Sequence, residues 1–76
     1  MDNERIYEKI GEIANNSNGE KIKGAELAKS IGRVGRGVFR TISAAYRFFY
    51  KKGDSTTAEN IANVFVDKDG NFPYEK

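Results

Sequence analysis

The sequence of 76 residues contains no cysteine and no histidine. Without cysteine, the chain can form neither a disulfide framework nor a thiolate metal site. Without histidine, it lacks the commonest general base and the commonest ligand of transition metals. Because the remaining residues show no nucleophile–base pair, the sequence predicts no enzymatic activity, no metal site and no cofactor.

Long apolar runs are also missing, since no stretch approaches the roughly 18–20 residues that a membrane span requires. The first ten residues, MDNERIYEKI, are acidic and amphipathic, unlike a secretory signal. A basic amphipathic helix can lie on anionic lipid, but here the neighbouring helices need its apolar face for a core. We therefore expect a cytoplasmic protein without a membrane partner.

The composition suits one small domain over residues 1–76. Apolar residues make up 38% of the chain and charged residues 32%, which is enough apolar material for a core. A chain of this length buries only about 60% of the surface that its unfolded form exposes, so the core must be small.

The charges are distributed unevenly along the chain. Residues 1–26 carry four basic and six acidic side chains, and residues 54–76 carry two basic and five acidic ones. The segment between them, residues 27–53, carries seven basic side chains and none that is acidic. A net charge of +2 therefore conceals a strongly basic middle between two acidic flanks.

Hydrophobic periodicity predicts a mainly α fold of three to four helices, at about residues 3–14, 24–31, 36–52 and 57–65. In the first helix, Ile6, Ile10 and Ile13 share one face. Gly11 lies off that apolar stripe, so it is expected only to weaken the helix, by about 1 kcal/mol relative to alanine. The pair Thr56 and Glu59 has the spacing of a capping box for the last helix.

The remaining segments predict turns and short strands. Ile22 has the alternating neighbours of a very short strand, and Gly32 stands where a helix takes a left-handed terminator. Asp69 and Gly70 lie between apolar residues, which indicates a short C-terminal β-hairpin at 64–75. Pro73 restricts the second arm of that hairpin to an edge strand.

The longest predicted helix, 36–52, has two different faces. One is apolar, and the opposite one is cationic. The apolar face carries Val38, Ile42, Ala45 and Phe49, and the cationic face carries Arg36, Arg40, Arg47 and Lys51. An ordinary solvated helix mixes charge signs through i,i+4 pairs, whereas this segment contains no acid. We favour a nucleic-acid interface over a merely solvated face or a face for an acidic protein.

Three other motifs favour ordinary structure over function. The glycines of GRVGRG lack the Gly-Lys-Ser/Thr of a phosphate-binding loop and the preceding strand of a dinucleotide loop. The DKDGN stretch at 67–71 fails the ligand spacing of a calcium loop, so it is interpreted as a turn. Aromatic side chains can stack on single-stranded bases, but a domain this small favours placing them in the core. Those aromatics are Tyr46, Phe48, Phe49 and Tyr50.

The run ELAKSIGRVGRGVFRTI, residues 26–42, resembles the helix-turn-helix of winged-helix DNA-binding domains. The features that match are Leu27-Ala28, Gly32 at the turn, Val38, and Arg40 followed by Ile42. The run departs from that pattern at Arg33 and Val34, where an apolar residue and then Ser or Thr usually stand. The resemblance implies a winged-helix-like domain that binds duplex DNA.

In such a complex, residues near the start of the long helix reach base edges, and the others contact phosphates. The expected base-edge residues are Arg36, Arg40, Thr41 and Ser43. The expected phosphate contacts are Arg33, Arg47, Lys51 and Lys52.

The leading hypothesis is thus a small transcriptional regulator, in a compact format typical of a phage or mobile element, that can also act as a homodimer. The alternative is a protein-binding module or small inhibitor that docks its basic face on an acidic protein or a nucleoprotein enzyme.

Overall fold

A computed structural model gives the fold and describes residues 3–72. Within these residues the protein is mainly helical, with four α-helices and two very short strands. The elements in chain order are α1 (Asn3–Asn16), β1 (Ile22–Lys23), a 3-10 turn (Gly24–Leu27) that runs into α2 (Ala28–Ile31), α3 (Arg36–Lys51), α4 (Ser55–Val64) and β2 (Phe65–Val66).

Helix α3 packs against α1, α4 and the 3-10 turn, and its apolar face is the one predicted from the sequence. Val38, Ile42, Ala45 and Phe49 are all buried. They meet Ile6 and Ile10 of α1 and the buried side of α4 in one hydrophobic core. The predicted long helix is therefore confirmed to within one residue.

Helix α1 continues two residues beyond its predicted end because α4 provides side-chain partners. Asn15 Nδ2 donates to Thr57 Oγ1 at 3.2 Å, and Asn60 Nδ2 donates to Asn15 Oδ1 at 2.7 Å. These bonds hold the end of α1 against the first turns of α4. The polar residues that were expected to end the helix instead extend it by hydrogen bonding across the helix pair.

Helix α4 begins at Ser55, and the predicted capping box is wrong. The N-cap is Asp54, whose carboxylate accepts hydrogen bonds from the backbone N–H of Thr57 at 3.1 Å and from its hydroxyl at 2.7 Å. Glu59 is exposed. An aspartate two residues earlier satisfies the free amides better than Thr56 does, so the helix starts there.

The two strands pair in parallel, with Ile22 opposite Phe65 and Lys23 opposite Val66. The strand at Ile22 is thus confirmed. Parallel pairing requires a long connection, which here contains α2, α3 and α4. The ammonium of Lys21 also donates to the carbonyl of Asn63, which ties the approach to β1 to the end of α4.

The predicted hairpin at 64–75 is present only as its turn. The backbone N–H of Asp67 donates to the carbonyl of Asn71 at 2.7 Å, and Asp67 Oδ1 accepts from the N–H groups of Asp69 and Asn71. However, β2 pairs with β1 rather than with a following strand, and Phe72 is not in a strand. The remainder of the predicted second arm, 73–75, lies outside the described residues.

None of the helices within residues 3–72 is long and apolar enough to cross a membrane.

Candidate nucleic-acid interface

Two glycines shape the turn between α2 and α3. Gly32 ends α2 in the left-handed conformation, with φ 69°, and its N–H donates to the carbonyl of Ala28. Gly35 precedes α3 with φ 54° and ψ −131°, a combination that residues with a Cβ rarely adopt. Between them Val34 is 77% exposed. The turn therefore presents an apolar side chain directly ahead of α3.

The outer side of α3 carries the predicted cations. Arg36, Arg40, Arg47 and Lys51 are all exposed. At about 100° per residue they fall within a sector of about 60°, and at about 1.5 Å per residue they span about 22 Å. We call these four residues the basic face.

Arg33 lies beside the N-terminal end of α3. Its side chain is half-buried beside the first turn of α3, where a Cβ built on Gly37 would lie 3.7 Å from Arg33 Cβ. The short distance shows that the chain before α3 runs close to the start of the helix. Arg33 thus adds a fifth cation beside the first turn of α3.

Two of the predicted base-edge residues are not exposed. Ser43 is fully buried, so in this structure its side chain is not exposed for the predicted contact with DNA. It lies one turn before Tyr46, the residue on which Phe72 packs. Thr41 is half-buried about 140° round the helix from Arg36, and its hydroxyl donates to the carbonyl of Gly37 at 2.6 Å.

Lys52 was predicted as a phosphate contact, but it also lies away from the basic face. It is about 160° round the helix from Arg36. Its ammonium lies 5.1 Å from the ring centroid of Phe48 and 5.3 Å from that of Phe49, in cation–π geometry. The pKa of Asp54 is lowered chiefly by hydrogen bonds from Thr57, and Lys52 makes the smallest contribution to that shift. Lys52 therefore faces the junction with α4.

The aromatic residues of α3 are not all core residues. Phe49 is buried as predicted, whereas Tyr46 and Phe48 are half-buried and Tyr50 is 55% exposed. The ring of Tyr50 lies 5.7 Å from that of Tyr46, and Tyr46 in turn lies 5.9 Å from Phe72. Sequence periodicity missed Tyr50 as a surface residue because FFY covers more than one face of a helix.

An open groove of about 580 Å³ lies along the second half of α3. It is lined by Tyr46, Arg47, Phe48, Tyr50 and Lys51. Two of these are basic-face cations and three are aromatic. Elsewhere within residues 3–72, no three acidic side chains lie close enough together to hold a metal ion.

Comparisons with known proteins provide no relative on which to base a function. No protein-family model matches the chain, and neither a curated protein nor a solved structure does. The function must therefore be argued from the residues of the basic face and the groove beside it.

Proposed function

We propose that the protein binds duplex DNA through the basic face of α3 and acts as a small transcriptional regulator of the helix-turn-helix type. The observation that carries the proposal is the exposure of four cations on one side of a helix within a segment, 27–53, that contains no acid. Cations clustered on one side of a helix create a positive potential that attracts an anionic partner. A nucleic acid supplies that charge along its whole length.

The dimensions of α3 suit the major groove of B-DNA, which admits an α-helix. If the N-terminal end of α3 enters the groove first, Arg36 and Arg40 lie in the half of the helix where recognition helices contact base edges. An arginine can donate two hydrogen bonds to the O6 and N7 atoms of guanine. Arg33, Arg47 and Lys51 then contact phosphates, which set the position of the helix on the duplex.

The first test measures the binding of labelled duplex DNA of random sequence by fluorescence anisotropy across a range of salt concentrations. Each neutralised phosphate contributes about −0.9 to the slope of log K against log salt. Three phosphate contacts predict a slope of about −3, and participation of all five cations predicts about −4.5. A protein that fails to bind duplex DNA at low salt would exclude this function.

Substitutions then test the assignment of roles on a site selected from random DNA. Arg36→Ala and Arg40→Ala should each weaken binding to that site by about 1–3 kcal/mol and relax the base preference at one position. Lys51→Ala should weaken binding to all sequences alike and flatten the salt slope by about one unit. Lys52→Ala is the matched control, because it removes the same charge from the other side of α3 and should change binding much less. Equal losses in all four variants would refute the assignment of α3 as a recognition helix.

The second candidate is a protein-binding module or small inhibitor that uses the same face. It is favoured by the juxtaposition of Tyr46, Arg47 and Tyr50, because tyrosine and arginine are enriched among the residues that dominate protein interfaces. An acidic protein or a nucleoprotein enzyme would then be the partner. Competition with unlabelled duplex DNA distinguishes the two functions. If the protein binds DNA, the competitor should displace labelled duplex from it. If the protein binds a protein partner, the competitor should leave that complex intact. A homodimer on two half-sites stays a prediction.

A further inference from the structure

Two rows of side chains run side by side along the second half of α3. Tyr46 and Tyr50 form an aromatic row, and Arg47 and Lys51 form a cationic row one residue further round the helix. Each row spans one helical turn, about 6 Å. Both rows line the open groove of about 580 Å³ described above.

The aromatic row packs on Phe72 at one end and is exposed to solvent at the other. Phe72 packs on Tyr46, and Tyr46 packs on Tyr50 with the ring planes tilted by 49°. The outermost ring, Tyr50, is nevertheless 55% exposed. A large aromatic side chain that is supported on one side and exposed on the other offers a preformed surface for stacking.

The chemistry of the two rows suits a ligand that combines an exposed aromatic base with a phosphate. In an intact duplex the faces of the bases are covered by their neighbours in the stack, so an exposed ring on a helix surface cannot stack on them. An unpaired base has a free face, and its phosphate needs a nearby cation. Aromatic platforms beside cationic side chains are the usual means of binding single strands.

We propose that this groove binds an unpaired nucleotide of DNA, with the base stacked on Tyr50 and the adjoining phosphate held by Lys51 and Arg47. The inference rests on the proposed function, because the same basic face holds the flanking duplex. It adds a preference for DNA that carries a single-stranded opening over fully paired DNA.

The test compares three labelled duplexes by anisotropy: one intact, one with a short gap of unpaired thymidines, and one in which abasic sites replace those thymidines. The two gapped duplexes carry the same number of phosphates, so any preference that does not come from charge must come from the bases. One stacked base should make the thymidine gap bind about 5- to 160-fold tighter than the abasic gap. Equal affinity for the two gaps overturns the proposal.

Variants test whether the ring of Tyr50 causes the tighter binding of the thymidine gap. Tyr50→Ala should abolish the difference between the two gaps, Tyr50→Phe should preserve it, and Val34→Ala, which truncates an exposed apolar side chain at the other end of α3, should leave it unchanged. Circular dichroism confirms that each variant is folded. A difference that survives in Tyr50→Ala refutes the role of Tyr50.

The outcome also separates this inference from the proposed function. If all three duplexes bind with the same salt-dependent affinity, the basic face binds DNA and the nucleotide site does not exist. If none binds at low salt, the proposed function fails together with the site.

Discussion

Gly11 is the residue for which sequence and structure lead to opposite expectations. A Cβ built on it would lie 2.6 Å from two ring carbons of Phe49 and 2.9 Å from Cγ2 of Thr57. Gly11 thus lets α1 approach α3 and α4 more closely than any other residue would permit. Because Gly11 has no side chain, it allows α1 to pack closely on α3 and α4, although glycine weakens the isolated helix.

We predict that Gly11→Ala destabilises the protein by about 1–3 kcal/mol, because the added methyl group overpacks the core. Gly37→Ala is the matched control. A Cβ there makes only an ordinary contact of 3.7 Å with Arg33, so the gain in helix propensity should leave the free energy of unfolding unchanged or raise it by up to about 1 kcal/mol. Urea denaturation measures both values. A stabilised Gly11→Ala variant would contradict the close packing of α1 on α3.

Polar residues of α3 also show that the angular position of a residue on a helix does not determine its exposure. Ser43 lies only about 20° from Arg36 on a helical projection, yet it is fully buried. The arginines extend beyond the surrounding surface because their side chains are long, whereas a serine at the same angle is covered by its neighbours. Side-chain length and the packing of neighbouring residues therefore decide which members of a polar face are exposed.

At the scale of single elements, α4 depends on the carboxylate of Asp54. The hydroxyl of Thr57 and then its backbone N–H donate to that carboxylate and lower its pKa below the ordinary value of 3.8, with a smaller contribution from Lys52 and a small opposing effect of burial. Since the pKa is lower in the folded protein than in the unfolded chain, the cap stabilises the fold at pH values above about 4. This contribution is lost as the pH falls through the folded-state pKa.

The Asp54→Asn variant should retain a capping side chain and lose this pH dependence, because asparagine is also a good N-cap and does not titrate. We expect the wild type to have the higher thermal midpoint at neutral pH. The difference should shrink or reverse as the pH falls below 4. Glu59→Gln is the control, because it removes a carboxylate of the same helix that does not cap it, and it should track the wild type. A constant gap between wild type and Asp54→Asn at all pH values would contradict the role of Asp54.

Helix α3 shows how one element serves two purposes. Its apolar face supplies much of the core, and its opposite side carries the basic face. Because the two faces are separate, replacing a cation with alanine removes charge without opening a cavity. The variants Arg36→Ala and Arg40→Ala should therefore remain folded, which makes their binding measurements interpretable.

At the scale of the whole molecule, the core depends on residues that are far apart in the sequence. Phe65 is fully buried, and its strand pairs with that of Ile22, which lies 43 positions earlier in the sequence. A domain of 76 residues has a total stability of about 4–11 kcal/mol. A single large buried side chain is therefore a substantial part of what holds it folded.

We predict that Phe65→Ala destabilises the protein by about 3–5 kcal/mol, enough to bring it close to unfolding at room temperature. Val34→Ala removes apolar atoms from an exposed position and should change the free energy of unfolding by less than about 0.5 kcal/mol. Urea denaturation followed by circular dichroism measures both. A loss below 1 kcal/mol for Phe65→Ala would show that β2 contributes little to the core.

The sequence by itself determined the positions of the long helices, the apolar face of α3 and the cations on its other side. These features follow from a local period of 3.6 residues, which acts over neighbouring turns and needs no distant partner. The left-handed turn at Gly32 was predictable for the same reason, since it is a property of a few consecutive residues.

Only the tertiary structure decided the parallel pairing of β1 with β2, the tight packing at Gly11, the burial of Ser43 and the exposure of Tyr50. Each depends on which segments meet in space. Ile22 and Phe65 are separated by three helices, and no local pattern states that they become neighbours. The local sequence pattern therefore determined the basic face, whereas the tertiary packing decided which of the surrounding side chains are exposed.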